Sequence, residues 1–121
     1  GAIRQWSEAA GDEGMLGFAL HQLAGLEARQ GRVDEARKQY EKSLELWRRI
    51  GDVQGEAATL HQLAVLEAQQ GRADEARKQY EKSLELWRRI GDVQGEAATL
   101  HQLAWLEAQE GRVDEARKQL E

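Results

Sequence analysis

Apolar residues along this chain recur every third or fourth place and then halt at a glycine, twice in every forty residues. In DVQGEAATLHQLAVLEAQQ, Asp52 to Gln70, the side chains of Leu60, Leu63, Ala64 and Leu66 form one stripe at helical spacing. Asp52, just after Gly51, is placed to accept a free N–H at the start of that helix. Gly71 is placed to end it in a left-handed conformation. In ADEARKQYEKSLELWRRI, Ala73 to Ile90, a second stripe runs through Ala76, Tyr80, Leu84 and Trp87, widened by Leu86 and Ile90. Asp74 and Glu75 stand in its first turn and Arg88 and Arg89 in its last, the order that the helix dipole favours. Glu85 and Arg89 add a pair four residues apart, and Gly91 is the expected stop. The pattern predicts helix, turn, helix, turn.

The unit then repeats. LHQLA begins at Leu20, Leu60 and Leu100, and DEARKQ at Asp34, Asp74 and Asp114. The segment from Asp34 to Ala64 recurs letter for letter from Asp74 to Ala104. A fixed period of this size signals a solenoid, because one helix pair cannot bury its apolar face and stacked pairs can. The expected fold is therefore an all-α solenoid of stacked antiparallel helix pairs. Its parts are a partial helix over 2–10 and repeats at about 12–50, 52–90 and 92–121, the last second helix being cut at Glu121. Gly11, Gly14 and Gly17 mark a weak start to the first repeat, since an interior glycine costs about 1 kcal/mol relative to alanine.

Composition narrows the chemistry. Of 121 residues none is proline or cysteine, and the net charge is −5. Absence of cysteine removes disulfides, thiol catalysis and thiolate metal sites. The acidic balance argues against a nucleic-acid partner. No apolar run is long enough to span a membrane, and GAIRQWSEAAGDEG lacks the basic and apolar regions of a signal peptide. Cytoplasmic residence is the expectation.

LHQLAVLEAQQGRADEARKQYEKSLEL resembles the tetratricopeptide repeat, in the longer-period form of kinesin light chains and bacterial signalling regulators. The resemblance rests on Leu63–Ala64, Gly71 at the turn, Ala76, the aromatic Tyr80, and small Ser83 before Leu84. There are departures. Leu60 stands where that family has an early aromatic residue, Gln62 where it has a groove-lining asparagine, and LWRRIGD where it has a proline. The resemblance implies a right-handed superhelix whose first helices line a concave groove for a peptide or protein segment.

Exposed Arg37, Lys38, Glu41 and Lys42 repeat unchanged along with the core, which implies either recent duplication or assembly from one idealised repeat. The differences then carry information. The first helix varies at Gly25, Val65 and Trp105, and at Arg29, Gln69 and Gln109, a pattern open to a recognition surface or to plain tolerance at exposed sites, since Val33, Ala73 and Val113 and Tyr40, Tyr80 and Leu120 differ elsewhere. The two first-helix sites are four apart, on one helical face shared with His21, His61 and His101. The expected peptide-binding residues are thus His21, Arg29, His61, Val65, Gln69, His101, Trp105 and Gln109, with Trp105 as an exposed anchor. A row of histidines invites a metal reading, but helices about 8–10 Å apart place them too far apart to share one ion. Three groups gaining charge near pH 6–7 fit them better.

Glu27, Glu67 and Glu107 fall inside the apolar stripe, so each is expected to meet a basic residue from a neighbouring second helix. Ser43 and Ser83 are read as close-packing sites, and Trp47 and Trp87 as core between repeats. No nucleophile, acid–base pair or phosphate loop is present, so the chain reads as non-enzymatic, with neither metal nor cofactor. The rival expectation is structural: head-to-tail self-association through Ile3, Trp6, Met15 and Phe18 at one end and Val113 and Leu120 at the other.

Overall fold

The computed structural model describes residues 2–120, with side chains from residue 11 onward. Five helices follow one another: α1 (Ala2–Arg29), α2 (Val33–Ile50), α3 (Val53–Gln69), α4 (Ala73–Ile90) and α5 (Val93–Leu120). Among the described residues there is no strand. Helices α1 and α2 pack as one antiparallel pair and α3 and α4 as the next, with α5 closing on α4. The first helices also touch along one side, α1 to α3 and α3 to α5. This is the stacked all-α solenoid the periodicity predicts.

The caps follow the residue types. The Asp52 carboxylate accepts the Gly55 N–H at 2.8 Å, and Asp92 does the same for Gly95 at 2.9 Å. Gly31, Gly51, Gly71 and Gly91 all have φ between 71° and 79°, where a side chain would be strained. Two expected breaks are absent. Helix α1 continues through Gly11, joining the partial helix over 2–10 to the first repeat, and α5 continues through Gly111. The four left-handed glycines lie between helices that bury their stripes on each other. Where no opposing helix rewards a turn, the helix gains a further backbone bond per residue by running on.

Each stripe packs as its spacing requires. Ala57, Leu60, Leu63 and Leu66 of α3 form a core with Ala36, Tyr40 and Leu44 of α2 and with Leu86 and Trp87 of α4. Ala64, Ala76, Tyr80 and Leu106 form a second core one step along. Ser43 and Ser83 are fully buried and donate to the carbonyls of Gly17 at 2.7 Å and Ala57 at 2.8 Å. Trp47 and Trp87 are buried between repeats, each ring packed against a glycine of the next first helix. A Cβ at Gly55 would stand 2.5 Å from the Trp47 ring, and Gly95 stands against Trp87 in the same way.

Candidate partner-binding groove

Along the side where α1, α3 and α5 meet, a hollow opens between each neighbouring pair. The first, about 280 Å³ between α1 and α3, is lined by Gly25, Arg29, Tyr40, Gln62, Val65 and Gln69, among others. The second, about 320 Å³ between α3 and α5, is lined by Val65, Gln69, Tyr80, Gln102, Trp105 and Gln109. Tyr40 and Tyr80 come from the second helices and form the floors. Burial pushes both phenols up, Tyr80 to about 12, while the Arg29 charge pulls Tyr40 partly back. At neutral pH both floors are therefore uncharged hydroxyls. Trp105 is 52% exposed and takes the Arg112 guanidinium at 5.8 Å from its ring centroid.

The histidines do something different. Nδ1 of His21 lies 2.8 Å from Thr59 Oγ1, which also accepts the Trp47 indole N–H at 2.9 Å. The next junction copies this: His61 lies 2.8 Å from Thr99, and Trp87 donates to the same hydroxyl at 3.0 Å. Each ring also stands edge-on to a tyrosine, His21 on Tyr40 and His61 on Tyr80. Burial lowers both imidazole pKa values below the usual 6.5. His21 and His61 thus stand half-buried in the joints between repeats, where burial disfavours the charged imidazole. His101 alone is exposed.

A tetratricopeptide repeat family model matches residues 16–67 and again residues 55–121. The chain belongs to the tetratricopeptide repeat family. Members of this family are in general protein–protein interaction modules, a non-enzymatic scaffold class. Among solved structures, the crystal structure of BtubC (BKLC) from P. vanneervenii is similar, with 26% identity and a TM-score of 0.74. The likeness covers 84% of this chain and 42% of that one, so the present chain spans less than half of that protein's length. No curated protein sequence matches.

Within this tetratricopeptide repeat chain, the structure gathers Val65, Gln69, Trp105 and Gln109 round one hollow, and Arg29, Val65 and Gln69 round the other. His21 lines a third depression beside Phe18 and Trp47. The threonines at the joints escaped sequence reasoning, although a signal existed. Thr59 precedes Leu63 by four residues and so sits on the apolar stripe, where a hydroxyl needs a partner. The tyrosine floors also escaped, because their helix is the other one of each pair.

The stripe glutamates find arginines. Arg37 of α2 donates to buried Glu67 at 2.7 Å, and Arg77 of α4 donates to Glu107 at 2.9 Å and also pairs with Glu110. The hydrogen bond to Glu67, opposed by burial, leaves the Arg37 pKa raised. Glu27 meets Arg32 of the following turn at 3.4 Å rather than a second helix. Among the described residues no group of three or more histidines and carboxylates converges on a metal position. No described helix is long and apolar enough to cross a membrane. Of the proposed end residues, Met15, Phe18, Val113 and Leu120 are exposed, and the side chains of Ile3 and Trp6 lie outside the described residues. Met15 and Ala19 occupy the places that Gly55 and Thr59 hold one repeat on. A copy docking on α1 would therefore find neither the glycine against which a tryptophan packs nor the hydroxyl, so a head-to-tail contact would have to differ from the internal joints.

Proposed function

We propose that the chain is a binding module whose first-helix side takes an extended segment of a partner protein across both hollows. The observation that carries this reading is the location of the variation. Between repeats largely copied letter for letter, the differences at Gly25, Val65 and Trp105 and at Arg29 against Gln69 and Gln109 line the two hollows, while others, such as Val33, Ala73 and Val113 or Gln30, Gln70 and Glu110, fall elsewhere. Substitutions at plain surface sites cost little and scatter. Here the charged outer face of the second helices is constant while the groove wall changes, which suits a recognition surface. Trp105, large, rigid and half in solvent, is the anchor of the sort that dominates interface energy. Selection of short peptides from a random library on the immobilised chain tests the reading. Defined peptides should emerge, and Trp105→Ala should weaken the best of them about tenfold or more, the scale of an interface hot spot. Failure to enrich any peptide would sink it. Light scattering over a wide concentration range tests the other reading, self-association, independently.

A further inference from the structure

The stretch GRVDEARKQ occurs at 31–39 and again, letter for letter, at 111–119. At the first the chain turns back at Gly31, φ 79°, and at the second it runs on as helix. The stretch thus carries the chemistry of a turn in both places, and the residues before it differ. Trp105 stands where the other repeats have Gly25 and Val65, and Glu110 where they have Gln30 and Gln70. Each of these two residues makes a contact suited to a straight helix. Glu110 pairs with Arg77 of α4, whereas Gln30 and Gln70 are exposed in the turns. A helix ending at Gly111 would put the Glu110 carboxylate in the cap place that Gln70 holds, against the negative end of the dipole. The Arg112 guanidinium lies 5.8 Å from the Trp105 ring centroid, seven residues on and so two turns along the same face. In the repeats that turn, the same arginine goes to a carboxylate instead, Arg32 to Glu27 and Arg72 to Glu67, each at 3.4 Å.

The folded-back alternative has its packing residues ready. Ala24 is fully buried in a core with Ala36 and Tyr40, and Ala64 in a core with Ala76 and Tyr80. Ala104, their counterpart, is exposed. Ala116 and Leu120, which hold the places of the covering residues, stand out on the continuing helix, with Leu120 88% exposed.

We propose that Gly111 is a two-position hinge. In one position residues 112–120 run on from α5, held by the contacts of Glu110 with Arg77 and of Arg112 with Trp105. In the other they fold back at Gly111 and cover Ala104 with Ala116 and Leu120. The hinge therefore decides whether these side chains are presented to solvent or hidden against α5. Both holding contacts are between charged groups or a charge and a ring near the surface, so salt weakens them and moves the balance toward the folded-back position.

Distances between paired spin labels test this, on a chain with no native cysteine. Lys78→Cys with Lys118→Cys reports the segment. Lys38→Cys with Lys78→Cys, one repeat back, gives the reference distance for a folded-back segment, and all three lysines are exposed. A continuing helix carries position 118 about 10 Å beyond Gly111, at 1.5 Å per residue, so the two positions are resolved. The parent should show mainly the longer distance. Trp105→Val with Glu110→Gln, which restores the residues of the second repeat, should move about half of the population or more to the reference distance. Adding Gly111→Ala should return it to the longer one, since alanine resists the left-handed turn. A parent mainly at the reference distance overturns the hinge. So does one distribution shared by the parent and the Trp105→Val, Glu110→Gln variant, or a folded-back population that survives Gly111→Ala.

Discussion

Helices α3 and α5 share every residue from Val53 to Ala64 and from Val93 to Ala104, yet they live in different surroundings. Leu60 is 3% exposed and Leu100 is 41% exposed. His61 is tied to Thr99, while His101 faces solvent. Gly71 turns the chain at φ 77°, and Gly111, its counterpart, is an ordinary helical residue. The difference is that α3 packs between α2 and α4, while among the described residues α4 alone of the second helices packs on α5. Burial and side-chain pairing at Leu60 and His61 against Leu100 and His101 are here set by the neighbour and not by the local sequence.

Paired substitutions at equivalent sites sharpen the contrast. The largest effect is expected at the leucines. Leu60→Ala should destabilise by about 2–5 kcal/mol, as truncation of a buried leucine does. Leu100→Ala, in identical local sequence, should cost about 1 kcal/mol or less, nearer to a surface change. Equal shifts of the urea midpoint would mean that α5 is covered in solution.

The joints come next. Thr59→Val keeps the shape but removes the acceptor for the Trp47 indole and the partner of His21, at a cost of about 1–3 kcal/mol. The same joints set a pH dependence. Because the folded pKa values of His21 and His61 lie below 6.5, the unfolded chain binds more protons in the window below 6.5. Their contribution is whole above that pH and is lost as pH falls from it through the lowered folded values. Stability measured against pH should lose part of this slope in His61→Gln and more of it when His21→Gln is added. A slope unchanged in both variants would show that the joints do not disfavour the charged histidine.

Glycines give a smaller effect of opposite sign at matched positions. Gly71→Ala should cost about 1–2 kcal/mol, since alanine resists the left-handed region. Gly111→Ala, helical and open on all sides, should gain about 0.5–1 kcal/mol. Loss at both would place a turn at Gly111. The least effect belongs to Lys78→Ala, whose exposed pair with Glu75 predicts a change within about 0.5 kcal/mol; a larger loss in thermal unfolding would show that α4 is not facing solvent there.

Much of the groove was legible at the level of faces. The four-residue spacing of Val65 and Gln69 put them on one side of α3, and the structure finds both beside the hollows. His61, four residues before Val65, shares that side by angle, but its ring bends into the next repeat to reach Thr99. A helical wheel gives the direction in which a side chain leaves its own helix, and not what stands within reach once it has left. Glu67 was the better case. A carboxylate on an apolar stripe must find a cation, so its partner could be expected by type, if not by number.

The sequence by itself determined the helices, their caps and their period, because hydrogen bonds four residues apart, capping carboxylates and apolar stripes are all short-range properties. It also determined that the pairs must stack, since no single pair can hide its stripe. Only the tertiary structure decided which glycines turn, which histidines are tied to a threonine across a joint, and which tyrosines floor the groove. Those outcomes depend on atoms brought close from thirty or forty residues away, and identical local sequences at Leu60 and Leu100 cannot encode a neighbour that one has and the other lacks.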